Sequence, residues 1–280
     1  MSQAAGLLSA RRAPHVRVVG VVSAAHFVSH YYIILLAPLL PFVRADYGVS
    51  YTEIGLAVAV LLLVFREEGG NTAPRTPATQ TKPKGGAGGW RLLMSPPIVL
   101  NLFFFVLLAM ISGGIYNYSV VALGALYATP VTTANAALTG YLALSSIGVL
   151  AGGLLVTRTS RHGTVAAIGL ALMAVLTALV ARIDLGSLLL IAVMTANGFF
   201  SGVIMPSRDM IVREVTPPGS FGKVFGFVTT GFNIGGVISP LVYGAIMDHG
   251  SPALVFLLAG ACSLLAIVTV AIRPRGLAEA

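Results

Sequence analysis

Long apolar runs, broken by short polar or Gly- and Pro-marked stretches, recur through most of the 280-residue chain. Their hydrophobicity is continuous, whereas a spanning barrel would need polar and apolar residues in alternation. The pattern therefore predicts helices that are apolar on all sides and span a bilayer whose hydrocarbon core is roughly 30 Å thick. Eight spans are expected, near Val18 to Phe42, Thr52 to Phe65, Pro97 to Tyr127, Ala134 to Val156, Thr164 to Ala181, Leu185 to Met205, Phe221 to Met247 and Pro252 to Ile272. The second is short: its apolar residues, at 1.5 Å each, reach only about 21 Å.

Charge supports the short segment as a crossing. With eight spans and the N-terminus inside, Arg44 and Arg182 are the only two of the 17 Lys and Arg residues that fall outside. That asymmetry is the one basic residues impose on membrane topology. A seven-span chain with its N-terminus outside keeps the same orientation for the last six spans but splits the charges less cleanly. Both termini are expected in the cytoplasm, and the chain in a cell inner (cytoplasmic) membrane.

Between Arg66 and Ser95 the sequence is rich in Gly, Pro, Thr and Lys. It has neither periodicity nor enough apolar surface to offset ordering, so a flexible cytoplasmic linker is expected there. The predicted organisation is residues 1–65 as an N-terminal piece, 66–95 as linker and 96–280 as a six-helix bundle.

Composition agrees with the pattern. Hydrophobic residues make up 56% of the chain and charged ones only 9%, against about 25% charged in an ordinary soluble domain. The net charge of +8 comes from basic residues scattered at span ends, which does not form a nucleic-acid footprint. The N-terminal Arg11, Arg12 and Arg17 precede an apolar stretch too long for a signal peptide, with no small-residue cleavage site after it, so a retained first span is expected. Cys262 is the single cysteine, which excludes an intrachain disulfide and a cysteine-clustered metal site.

Two stretches carry a resemblance. HFVSHYYIILLAPLLPFVRADYGVSYTEIGLAVAV, from His26, resembles the first helix, extracellular turn and start of the second helix of the major facilitator superfamily of secondary transporters. FGKVFGFVTTGFNIGGVISPLVYGAIMD, from Phe221, resembles that family's eleventh helix. The spans between fit its C-terminal six-helix half. The resemblance implies an all-α, polytopic transmembrane bundle moving a small solute, with drug-efflux and fosmidomycin-resistance-like members the nearest in kind. The family's cytoplasmic loop motif is degenerate: GLLVTRTSRH supplies Gly153, Arg158 and Arg161, but Thr157 and Ser160 replace the expected acid and glycine. Twelve helices are implied, yet the second-helix start at Thr52 to Val60 runs directly into LLLVFREE, which resembles the end of a sixth. An internal deletion fusing two partial helices is expected near Val60.

The residues also read without the family. Gly222, Gly226, Thr230, Asn233, Gly236 and Pro240 recur at helical spacing on one broad face, with Gly231 and Gly235 as a second small-xxx-small pair, so close helix packing is expected. Every Asp and Glu falls in a loop or at a span end. His26 and His30, four residues apart on one face, fit either proton exchange in a cavity or interhelical hydrogen bonds. They lack a third ligand for zinc.

Tyr116, Asn117 and Tyr118, deep in the third span, are candidates to line a substrate cavity, where tyrosines offer hydrogen bonds and stacking faces. Asn197 and Asn233 are expected as buried amides, either bonding between helices or lining that cavity. No phosphate-binding glycine loop, nucleophile elbow or metal-ligand cluster is present, so neither enzymatic activity nor a cofactor is expected. The expected partners are the lipid bilayer and a small-molecule solute, with self-association or another membrane subunit to cover polar faces. A second class of function fits the short N-terminal piece: a non-transporting helix bundle, or a decayed gene product, that docks on another membrane protein.

Overall fold

Helices account for nearly all of the structure, a computed structural model that describes residues 21, 39–64 and 89–272. Helix α1 covers 39–47, α2 is Tyr51–Val64 and α3 is the short Gly89–Leu93. Six longer helices follow: α4, Pro96–Tyr127; α5, Val131–Arg158; α6, His162–Arg182; α7, Gly186–Glu214; α8, Phe221–Asp248; and α9, Ala253–Ala271. These six are long and apolar enough to cross a membrane, and there is no strand among the described residues. The all-α polytopic bundle read from the sequence is therefore the fold.

The helices pack in a ring. Helix α2 lies along α8, α8 along α4, α4 along α9, α9 along α6, α6 along α7 and α7 along α5, whose other side meets the end of α4. Helices α7 and α8 touch only lightly. Between lipid-immersed helices there is no hydrophobic driving force, so close packing needs small residues that let backbones approach. Gly198 and Gly202 supply this in α7: a Cβ on either would overlap the backbone carbonyl of Tyr141 or Ser145 in α5. Gly231 and Gly235 do the same in α8 against Leu102 and Val106 of α4. The outward faces carry exposed large apolar side chains such as Leu150, Leu154, Val175, Leu188 and Leu264, which suits a hydrocarbon surround and would be a liability in water.

Three local features differ from the sequence reading. Helix α7 continues nine residues past the expected end at Met205, through Pro206 to Glu214. Pro206 and the charges after it suit a terminus, but α6 packs alongside α7, and Ile211 and Val212 are buried. Helix α4 contains one π turn, Gly114–Tyr118. It sits where a Cβ on Gly113 or Gly114 would run into Ser239 or Tyr243 of α8. Residues 89–93 of the expected linker are helical, with Leu93 buried; residues 66–88 lie outside the described residues, as do residues 22–38 of the first expected span.

Candidate functional site

The end of the bundle opposite Arg158, Arg161, Arg213 and Lys223 joins the N-terminal piece to the bundle. Ser50 and Glu53 form a capping box at the start of α2: the Ser50 N–H donates to Glu53 Oε2 at 2.7 Å and the Glu53 N–H to Ser50 Oγ at 3.1 Å. The two free amides between them are satisfied from far along the chain. The N–H of Tyr51 donates to Asp248 Oδ1 at 2.9 Å and the N–H of Thr52 to Asp248 Oδ2 at 2.8 Å, with the Thr52 hydroxyl also donating to Oδ2. A carboxylate at the C-terminal end of α8 opposes that helix's own dipole, but it complements the positive end of α2. One turn deeper, a Cβ on Gly55 would overlap the Pro240 carbonyl, and one on Gly244 the backbone of Tyr51. Arg44 lies over the Tyr51 ring, 4.7 Å from its centroid.

Inside the bundle, polar groups gather along the seam where α7 faces α4. On a 3.6-residue helix Asn197, Ser201 and Arg208 fall within about 40° of one another. Asn197 is fully buried, and neither atom of its amide has a hydrogen-bond partner. Ser201, with Ser112, Leu108, Ile111, Met173, Ile204 and Met205, lines a small cavity between α4, α6 and α7, with room for about one water. Tyr141 of α5 lies beside Ser201 and Tyr116 of α4 beside Ser112. The two tyrosine rings meet edge to face at 5.8 Å.

Arg208 closes the seam toward the end of α7. Its Nε donates to Asp209 Oδ1 at 2.8 Å, and Nη2 lies 2.8 Å from the same oxygen. The guanidinium carbon stands 5.0 Å from the Phe105 centroid in α4 and 5.2 Å from that of Phe232 in α8. The side chain is 13% exposed; among the described residues every other Lys, Arg, Asp and Glu except Asp209 is classed as exposed. The expected span end at Met205 leaves Arg208 in a loop. The available signal was its spacing of seven from Ser201 and eleven from Asn197 on a helix assumed to have ended.

The sequence-predicted residues distribute unevenly. Asn117 and Tyr116 are half-buried in the π turn. Tyr118, 2% exposed, turns toward α8, donates to the Pro240 carbonyl at 2.8 Å and stacks on Tyr243. Asn233 is exposed, not the buried amide expected from its mid-span position, because α4 packs on the Gly231 and Gly235 side of α8 instead. Gly222 and Gly226, expected to pack, face open space. Thr230 spends its hydroxyl on the Phe227 carbonyl at 2.7 Å, and Gly236 is half-buried. Gly153 faces open space while its neighbour Gly152 packs against Val203, and Arg158 and Arg161 are exposed at the turn between α5 and α6. His26 and His30 lie outside the described residues. Among the described residues no three His, Cys, Asp or Glu side chains group as metal ligands.

Six apolar helices around a polar seam suit a bundle immersed in a membrane. The model of the Major Facilitator Superfamily matches residues 102–279, well over half of the chain. The chain belongs to the Major Facilitator Superfamily. It is accordingly a multi-pass membrane protein of the secondary-transporter class, whose ligands are small solutes. No curated protein and no solved structure matches it.

Proposed function

We propose that this Major Facilitator Superfamily chain exports a small solute by alternating access, with the solute meeting the seam between α4 and α7. The observation that carries the proposal is Asn197: a fully buried amide with both atoms unpartnered is costly unless something polar visits it. Ser201 is one turn along α7 from Asn197 and shares the cavity with Ser112, beside which Tyr116 lies, so the same visitor can meet them. The outward direction rests on the resemblance to drug-efflux members of the family. The end carrying Arg158, Arg161, Arg213 and Lys223 is then cytoplasmic, and the Asp248 contact with α2 closes the outer end. In this reading α1 and α2 are what an internal deletion leaves of the first half, residues 66–95 are the cytoplasmic linker, and the exposed Gly222, Gly226 and Asn233 face awaits another copy or another membrane subunit.

The test is flux. Sealed inverted vesicles containing the full chain should accumulate at least one of benzenesulfonate, benzyltrimethylammonium and phenyl glucoside faster than empty vesicles. Asn197→Leu should abolish the difference while leaving abundance and helix content unchanged. Equal rates with and without the protein, for all three solutes, favour the non-transporting bundle instead.

A further inference from the structure

The polar seam ends on a mostly buried positive charge, that of Arg208, which has consequences for what the seam accepts. Arg208 is the most buried of the described Lys, Arg, Asp and Glu side chains. A guanidinium presents five N–H donors in a planar fork. Here two edge positions, Nε and Nη2, converge on one oxygen of Asp209, and Nη1 reaches only the Met205 thioether at 3.1 Å, a weak acceptor. The guanidinium carbon lies over the neighbouring rings of Phe105 and Phe232, which attract the cation but accept no conventional hydrogen bond from it. The guanidinium is thus held in place from α4 and α8 while its hydrogen-bonding capacity is only partly used. Its one strong partner, the adjacent Asp209, is much more exposed, at 45%.

We infer that Arg208 selects the charge of the solute: the seam takes small organic anions, whose carboxylate, sulfonate or phosphonate group replaces Asp209 on the guanidinium. The inference rests on the transport reading for its biological meaning. Its physical basis is separate. A mostly buried cation whose counter-ion is a more exposed neighbour can trade that neighbour for an arriving anion without leaving its charge unpaired, whereas an arriving cation would meet like charge in a medium that screens poorly. The Phe105 and Phe232 rings, and the apolar lining formed by Leu108 and Met205 one turn away, suit an anion with an apolar body. Ser112 and Ser201 sit about two turns deeper in the same seam, roughly 10 Å along α7 from Arg208.

Equilibrium binding to the full chain in nanodiscs tests this with three probes of matched bulk: benzenesulfonate, benzyltrimethylammonium and phenyl glucoside. The wild-type chain is expected to bind benzenesulfonate saturably and the other two at least about tenfold more weakly, the scale of one charge-assisted hydrogen bond. Arg208→Gln should lose benzenesulfonate binding by at least about tenfold, Arg208→Lys should fall between, and Asp209→Asn should tighten it by removing the competitor. If Arg208→Gln does not fold, as read by its helix content, the Arg208→Lys and Asp209→Asn variants decide. No saturable benzenesulfonate binding to the wild-type chain, equal affinity for all three probes, or binding indifferent to positions 208 and 209 overturns the inference. Flux of the cation or the glucoside that persists in Arg208→Gln vesicles also defeats it while leaving transport standing. Arg208-dependent binding without flux of any probe does the reverse.

Discussion

Asp248 and Thr52, 196 residues apart, share two hydrogen bonds to one carboxylate oxygen, from the Thr52 amide and from its hydroxyl. The pair ties the first turn of α2 to the last turn of α8. With the Tyr51 amide on the other oxygen, the carboxylate satisfies donors that a helix start would otherwise leave open. Hydrogen bonds to a charged group are each worth roughly 1.5–3 kcal/mol, enough to hold a short helix that is marginal by itself.

Removing the carboxylate should therefore free α2 without unfolding the bundle. In a chain carrying Cys262→Ala, a cysteine at the buried Ile54 is expected to react slowly with a small maleimide. Adding Asp248→Ala should speed that reaction severalfold, with Asp248→Asn intermediate because its amide oxygen still accepts. The rate is read by gel shift in native membranes. Unchanged labelling in Asp248→Ala would mean that the Gly55 and Gly244 contacts hold α2 alone.

The close approach of α7 to α5 predicts a sharp contrast between glycines. Gly198→Ala places a methyl group against the Tyr141 carbonyl, and separating the two backbones should cost on the order of 1–3 kcal/mol. Gly153→Ala meets nothing within 4 Å and removes a helix-interior glycine, so it should be neutral or stabilising by up to about 1 kcal/mol. Thermal unfolding in a mild detergent, followed by circular dichroism, should rank the variants in that order. Equal melting temperatures would refute the contrast.

Orientation has its own test. Thr132 begins α5 at the end where Asp248 lies, and Ser160 sits in the turn between α5 and α6 at the opposite end. An impermeant maleimide added to intact cells should label Thr132→Cys, and label Ser160→Cys only after the cells are opened. The reverse pattern would invert the proposed topology, placing the Asp248 contact on the cytoplasmic side.

The sequence made the helices easy to find and the site hard. Each of the six long spans is an apolar run, and length alone separates a crossing from a core segment. The lone large error of extent, at the end of α7, came from Pro206, Arg208 and Asp209, which mark a terminus in most contexts but here continue a helix whose far face is packed. Which face of α8 is covered was not legible. Gly222, Gly226, Gly231 and Gly235 are the same residue at the same spacing, and only the position of α4 decides that the second pair is buried and Asn233 is not. The contact between Asp248 and α2 joins residues almost two hundred apart, and no local periodicity encodes it. The capping box is written in the sequence as Ser50 and Glu53 at the correct spacing, straddling the expected start of the second span.

The glycine notches divide the bundle into plates. Helices α5 and α7 interlock backbone to backbone at Gly198 and Gly202, and α4 and α8 do so at Gly231 and Gly235, while α7 and α8 scarcely touch. Each interlocked pair has little freedom to slide, because backbone carbonyls of one helix lie close over the glycines of the other. Motion within this bundle would concentrate at the boundary between plates, where Ser112, Ser201 and the small cavity lie and where Arg208 reaches across to both Phe105 and Phe232. A substitution in a notch would weaken the bundle as a whole, and one along the boundary would change how wide it can breathe.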